Sequence, residues 1–389
     1  MELSDIGPVT DESLCEACPS TLPLVNYSNM EMMVANDMED NGTWNSTEYV
    51  PYEERMETYI VPIVFAVVFV AGFLGNGTLI CIFLRHRTMR TIPNTYIMSL
   101  AVGDFILIVG TVPFISTIYT FESWPYGEFI CKLSEFLKDV SMGVTVFTLT
   151  MLSYDRYIAI VLPIKRHTNS NAKTMTIATA FGIWFLSILL ATPGAYVSFL
   201  WEVPVSKDKV IYVCYPFPQN LMPWYPRVVV ITKFMLLYGI PLILIASFYV
   251  MIAWHLMLSS RNSIGENPTQ LKQLRSRTKV AKIVLAFVVI FAVCFFPSHV
   301  FLIWYYFDPN PNAHYNSFWH SWKIMGYVMT FANSCLNPIA LYLISSVFRN
   351  YFKRYLFCCC CKPKEIRKET VTFHSTTLRN IPEGMLKNV

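Results

Sequence analysis

Charge is scarce in this chain. Only 14% of its 389 residues are Asp, Glu, Lys or Arg, against about 25% in soluble globular domains, which argues against a water-soluble fold. Glycine (15) and proline (23) follow no period, excluding collagen-like and low-complexity classes. No HExxH, GxSxG or phosphate-cradling glycine-rich loop occurs, so the common hydrolytic and nucleotide-dependent chemistries have no anchor. Met1–Asp11 is acidic and lacks a hydrophobic run, so no cleavable secretory signal is read there. What is abundant is apolar: 54% of residues are hydrophobic and 15% aromatic, spread along most of the length, which excludes general disorder.

That apolar content gathers into seven stretches. They run approximately Tyr59–Leu84, Thr95–Tyr119, Leu133–Val161, Met175–Leu200, Val228–Leu256, Val280–Tyr306 and Ile324–Ser345. Each is long enough to cross a bilayer core of ~30 Å as a helix of roughly 20 residues. The fold class expected is therefore all-α, a seven-transmembrane helix bundle. The third stretch is the weakest by hydropathy, with Glu135, Lys138 and Asp139 near its start.

Charge asymmetry sets the orientation. Residues 1–58 hold 13 acidic side chains and one basic one, net −12; the rest hold 29 basic and 13 acidic, net +16. Lys and Arg gather in alternate connections: Arg85/Arg87/Arg90, Lys165/Arg166/Lys173, Arg261 with Lys272/Arg275/Arg277/Lys279, and the tail from Arg349. The positive-inside rule then places the N-terminus outside and the C-terminus in the cytoplasm of a multi-pass plasma-membrane protein. The first span is expected to act as its own export signal. The division read is an acidic, glycosylated N-tail (1–58), the bundle (59–346), an amphipathic helix with a cysteine block (347–361) and a cytoplasmic tail (362–389). Sequons at Asn26, Asn41 and Asn45 lie in the N-tail; the one at Asn76 lies inside a span and should stay unmodified.

The 11 cysteines sort by compartment. Cys131 and Cys214 both face the oxidising side, so a bridge between them is the natural pairing. Cys15 and Cys18 face outward too, and are a second possible pair. Cys81, Cys294 and Cys335 read as packing residues within the membrane. Cys358, Cys359, Cys360 and Cys361 follow Phe348, Phe352 and Leu356, which recur every four residues among Lys and Arg. That pattern predicts an interfacial amphipathic helix meeting anionic lipid, with the cysteines as palmitoylation candidates.

Polar residues inside a bilayer are costly and mark functional sites. Here they stand in order: Gly75-Asn76 in span one, Leu100-Ala101-Val102-Gly103-Asp104 in span two, Asp155-Arg156-Tyr157 ending span three, Trp184 in four, Pro241 in five, Cys294-Phe295-Phe296-Pro297 in six, and Asn333-Ser334-Cys335-Leu336-Asn337-Pro338 in seven. This set resembles the rhodopsin-like G-protein-coupled receptors over about 290 residues. Trp124-Pro125-Tyr126-Gly127, Pro297-Ser298-His299 and Asn337-Pro338-Ile339-Ala340-Leu341-Tyr342 resemble the bombesin and endothelin receptor branch, and within it the invertebrate CCHamide neuropeptide receptors.

The resemblance implies an extracellular peptide ligand and a heterotrimeric G protein, through the phospholipase C and calcium pathway. It implies no catalytic residues and no cofactor beyond an allosteric sodium ion near Asp104, with Asn76, Thr145, Ser334 and Asn333 or Asn337 as partners. A bare hydrogen-bond network is the alternative there. Arg156 should be held by Asp155 at rest and engage the G protein when span six swings about Pro297. Pro338, Tyr157 and Tyr342 complete the activation set, with Ile160, Leu162, Pro163, Val280 and Arg349 beside Arg277 as further G-protein contacts. A kinase and arrestin region is read at Ser375-Thr376-Thr377.

Three departures narrow the reading. Phe295 stands where the family commonly has Trp. Tyr342 is displaced by one position, about 100° around the helix. Arg277 and Lys279 stand where an acidic partner for Arg156 sometimes sits, so that restraint is expected to be absent. The position that is Asp in amine receptors is Lys138, and no Lys occupies mid span seven, which disfavours amines and retinal. Lys138 can pair with Glu135 three residues back or receive a ligand group. Met142, Phe295, His299, Leu302 and Tyr327 are placed around it; for His299 a structural hydrogen bond is an equal alternative. A transporter or channel lacks an internal repeat or filter ring here. A non-signalling scavenger of the same fold is opposed by the intact Asp155-Arg156-Tyr157.

Overall fold

The computed structural model describes residues 55–356 apart from 122, 163–171, 207–208, 218–221, 223 and 263–267. The N-tail sequons at Asn26, Asn41 and Asn45, Cys15, Cys18, Pro163, the four adjacent cysteines and Ser375–Thr377 lie outside the described residues. Among the described residues, seven helices are long and apolar enough to cross a membrane. They are α1 (Met56–Arg85), α2 (Ile92–Gly110, extended by short turns to Tyr119), α3 (Gly127–Val161), α4 (Ala172–Val197), α5 (Tyr225–Phe234 and Ile240–Asn262), α6 (Pro268–Phe307) and α7 (Ser317–Ile344). A short helix, α8 (Ser346–Leu356), follows α7.

Local chemistry sets several boundaries. Helix ends leave carbonyls without intrahelical partners, and Arg90 folds back to donate to the carbonyls of Phe83 and Leu84 at the end of α1 (3.2 and 2.9 Å). Asn316 caps α7, its Oδ1 accepting from the N–H groups of Phe318 and Trp319. Within α5, Met235–Gly239 forms a π-turn in which Ile240 N–H reaches back to Met235, immediately before Pro241. The proline cannot donate to the turn behind it, and the widened turn absorbs that defect.

Where the fourth span was expected to reach Leu200, the helix stops at Val197 and a hairpin begins. Strands β1 (Phe199–Ser206) and β2 (Lys209–Tyr215) pair antiparallel, Leu200 opposite Cys214 and Trp201 opposite Val213. The hairpin is fastened to the head of α3 by the Cys131–Cys214 disulfide, Cα atoms 5.5 Å apart. Ser123 and Trp124 tie down its other side through both backbone groups of Tyr212. The third connection was expected to be a loop over Ser259–Leu274; instead α5 continues to Asn262 and α6 starts at Pro268.

The main core lies between α2, α3, α5, α6 and α7, around Leu149, Leu152, Ile245, Phe287 and Phe291, all essentially without exposure. Large apolar side chains instead cover the outer faces of α1, α4 and α5, among them Ile63, Phe181, Phe185 and Ile243. Such a surface suits hydrocarbon rather than water. The expected amphipathic helix is α8, but its apolar face docks on the bundle: Phe348 meets Phe83 edge-on, and Phe352 meets Tyr342.

Candidate ligand pocket and polar network

Beneath the hairpin stand four charged side chains, three from α3 and one from α5. Lys138 is bound by both oxygens of Glu135, one turn back on the same helix (2.6 Å each). Asp139 binds Lys233 of α5 at 2.6 Å. The second pair crosses helices and was not foreseen, although two opposite charges in two apolar spans were a signal that they needed each other. Glycine at 194 in α4 makes room for it: a Cβ there would stand 3.2 Å from Asp139 Oδ2 and 3.6 Å from Lys233 Nζ. The four charges sum to zero, so each ammonium already has its carboxylate.

Deeper in the bundle stand the apolar candidates. Phe295 is buried and packs on Phe291, ring centroids 4.8 Å apart. His299 is buried between Tyr238 (4.7 Å) and Phe234 (5.5 Å), with Nε2 unpartnered. Met142 packs against the main core alongside Phe295. Leu302 belongs to a separate aromatic cluster nearer the hairpin, with Tyr215, Phe217, Phe301 and Tyr305. Tyr327 stands on the α1 side, against Phe65, Phe331 and Tyr119. The six residues named from sequence thus divide among four neighbourhoods. Outside the spans, burial in the hairpin raises the Tyr215 phenol above its ordinary range.

Pro297 lies inside α6, and α7 grips the helix there. Trp322 donates from Nε1 to the Pro297 carbonyl (3.0 Å), and the Ser298 and Thr330 hydroxyls bond at 2.9 Å. Gly326 lies between them; a Cβ there would approach Ser298 N to 2.8 Å, so only glycine lets the two backbones meet.

Asp104 is wholly buried on α2. Asn337 donates to its Oδ2 at 2.9 Å, while Oδ1 has no hydrogen-bond partner. Asn76 does not bond Asp104 as expected: its Nδ2 is taken up by the carbonyls of Gly72 and Ser334, and its own Oδ1 is unpartnered. A small cavity nearby is lined mainly by apolar side chains, Leu79, Ile97, Leu100 and Phe287 among them, with Asn76 and Asn337 as its polar members. Thr145, Asn333 and Ser334 are buried. Two buried oxygens without hydrogen-bond partners, one of them a carboxylate's, are the donor type that a hard cation takes.

At the far end of α3, Arg156 is buried and ion-paired with its neighbour Asp155, and Tyr157 stacks on Phe248. The acidic restraint is absent from α6, as the sequence implies. Arg277 instead donates to the carbonyl of Ala159 (2.8 Å), and Tyr249 of α5 donates to the carbonyl of Ala281 (2.9 Å). Tyr342, one position off the familiar pattern, faces α8, and Leu341 fills the interior.

A family model described as 7 transmembrane receptor (rhodopsin family) matches residues 75–342, which takes in every one of these landmarks from Gly75 to Tyr342. The chain belongs to that family. This receptor is 54% identical over 316 residues to a Drosophila melanogaster protein named Neuropeptide CCHamide-1 receptor, covering 80% of the chain and 63% of the fly protein. It is 36% identical over 363 residues to the [Phe13]-bombesin receptor of Bombina orientalis, covering 93% and 91%. The resemblance read from scattered motifs to class A peptide receptors therefore holds.

Proposed function

We propose that this receptor stands in the plasma membrane with its N-terminus outside, binds an extracellular neuropeptide of the CCHamide-like or bombesin-like kind, and activates a heterotrimeric G protein through phospholipase C and calcium. The observation that carries the reading is the 54% identity to a protein named as a neuropeptide receptor. The pocket supports it. Its cations are already neutralised by Glu135 and Asp139, so it favours neutral hydrogen-bonding groups and aromatic or aliphatic side chains over a free amine or carboxylate. Lys138, Met142, Phe295, His299, Leu302 and Tyr327 are the contacts proposed.

In this mechanism the peptide settles under the hairpin, shifts the packing of Phe295 and His299, and α6 pivots at Pro297. The opposite end of the bundle opens, and Arg156 exchanges Asp155 for the G protein. Asp104, with Asn76, Thr145, Asn333, Ser334 and Asn337, would hold a sodium ion, which supplies a positive charge to the buried carboxylate. The tail is read as the site for a receptor kinase and arrestin, and the four cysteines after α8 as a lipid anchor. The test is cytosolic calcium in cells expressing the chain, challenged with amidated neuropeptides. A saturable response that Arg156→Ala abolishes while peptide binding persists is the expected result. Binding with no signal through any G-protein class, even in the unmodified chain, would mark a scavenger instead.

A further inference from the structure

The first and last spans meet along a seam that changes character towards the helix heads. Deeper in the seam the contact is aromatic: Phe65 of α1 packs edge-on against Tyr327 and Phe331 of α7, ring centroids 6.1 and 5.5 Å apart. About two turns nearer the heads, the corresponding positions are Glu57 and His320. Glu57 Oε1 stands 3.2 Å from His320 Nε2, and the Tyr315 hydroxyl stands 3.4 Å from Nδ1. His320 and Glu57 are 29% and 25% exposed, so a proton from water reaches the ring without any opening of the bundle. A carboxylate only accepts, so Nε2 carries a hydrogen and donates to Glu57, and the neutral ring accepts at Nδ1 from Tyr315. Protonation puts a second hydrogen on Nδ1, which the Tyr315 oxygen can accept by turning its own hydrogen away. Both neighbours therefore suit the imidazolium as well as the imidazole, with no heavy atom displaced.

Other charged groups also face the ring. Lys323, one turn on in α7, and Arg55, at the head of α1, act on it electrostatically and repel a positive charge there. The Lys323 ammonium lies towards α6, over the Phe301 ring at 5.8 Å, whereas Glu57 is in direct contact, so attraction dominates. Tyr119, on the turns that extend α2, and Tyr305 of α6 lie within electrostatic range of Tyr315, and Tyr119 of Glu57 too. Phenols stay neutral at and below neutral pH, which leaves His320 as the group that changes charge under mild acidity. We propose that Glu57, His320 and Tyr315 form an acid-sensitive clasp on the α1–α7 seam, a hydrogen bond at neutral pH that becomes an ion pair on acidification. Protonation draws the heads of α1 and α7 together and stiffens the wall that carries Tyr327, one of the proposed peptide contacts. The inference rests on the receptor reading only for the side of the membrane that the clasp faces.

The test is the distribution of distances between genetically encoded spin labels at the exposed positions 60 and 321, in purified, ligand-free, full-length receptor. It is recorded at about pH 7.5 and about pH 5, either side of the ordinary imidazole range. In the unmodified chain the ratio of close to separated populations should rise about fivefold on acidification, the worth of one partly exposed ion pair. Glu57→Gln keeps an oxygen acceptor for Nε2, so at neutral pH its distribution should match the unmodified chain while the acid response disappears. His320→Gln should lose the response as well. His314→Gln, which removes the neighbouring histidine bonded to Asp308, should retain it. An undiminished response in Glu57→Gln or His320→Gln overturns the clasp, as does an unmodified chain whose distribution ignores pH. Should Glu57→Gln fail to fold, His320→Gln decides alone. No peptide or G protein enters the measurement, so its failure is distinct from a failure of the ligand or coupling assignment.

Discussion

At the hairpin end, α3 is fastened to its surroundings by a covalent bond, Cys131–Cys214, and by an ion pair to α5, Asp139–Lys233. At the other end the same helix is held to α6 by Arg277 on a carbonyl, and α5 to α6 by Tyr249 on another. The first set resists separation; the second consists of single hydrogen bonds, each worth about 1–3 kcal/mol and each replaceable by water or a partner. A receptor needs that asymmetry: a fixed frame where the ligand is read and a releasable one where the response is made.

The comparison breaks most severely at the disulfide. Cys214→Ser frees the hairpin, and a loop of 83 residues would in chain-entropy terms cost about 4.5 kcal/mol. Two membrane spans lie within the loop and are already confined by the bilayer, so the stability loss should be smaller than that. Peptide binding, measured on receptor counted at the cell surface, should fall by more than a hundredfold.

Next in size is Lys233→Met, which strands Asp139. Breaking a buried pair costs about 3–5 kcal/mol; a third of Lys233 is exposed, so about 2 kcal/mol is expected here. The thermal midpoint in detergent should drop by several degrees, and Asp139→Leu in the same chain should recover most of it. Failure of that recovery would mean the pair is not what joins α3 to α5.

The smallest effect sharpens the picture at the α6–α7 connection. His314 bonds both oxygens of Asp308, and with the Asn310 N–H holds that carboxyl below its ordinary range. A depressed carboxylate contributes stability that is present above its unfolded value of about 4 and is lost as pH falls through the lower folded value. The difference in hydrogen exchange over residues 308–314 between the unmodified chain and Asp308→Asn should therefore vanish on acidification and persist at neutral pH.

Much of the fold was legible because crossing a bilayer demands apolar length, and that demand is written in one dimension. Boundaries near charge, such as Gly127 rather than Leu133, and the hairpin, were not. Leu200 and Trp201 extend the apolar run of span four past its helix, and the register of a strand pair depends on a distant disulfide. Asn76 is buried in the polar interior but bonds helix carbonyls rather than Asp104, a choice that a one-dimensional pattern of polar residues does not encode. The Asp139–Lys233 pair joins residues 94 apart in sequence. Only the rule that buried charges seek opposites pointed to it.

The grip of Trp322 and Gly326 on α6 at Pro297 has a mechanical consequence. With no side chain between the two backbones, the upper parts of α6 and α7 cannot tilt separately and behave as one lever. The far arm of that lever carries Asn337, whose amide is attached to Asp104. If the proposed pocket is where the ligand pushes, that push would be borne along α7 as a load on the buried carboxylate, two helices away from where it was applied.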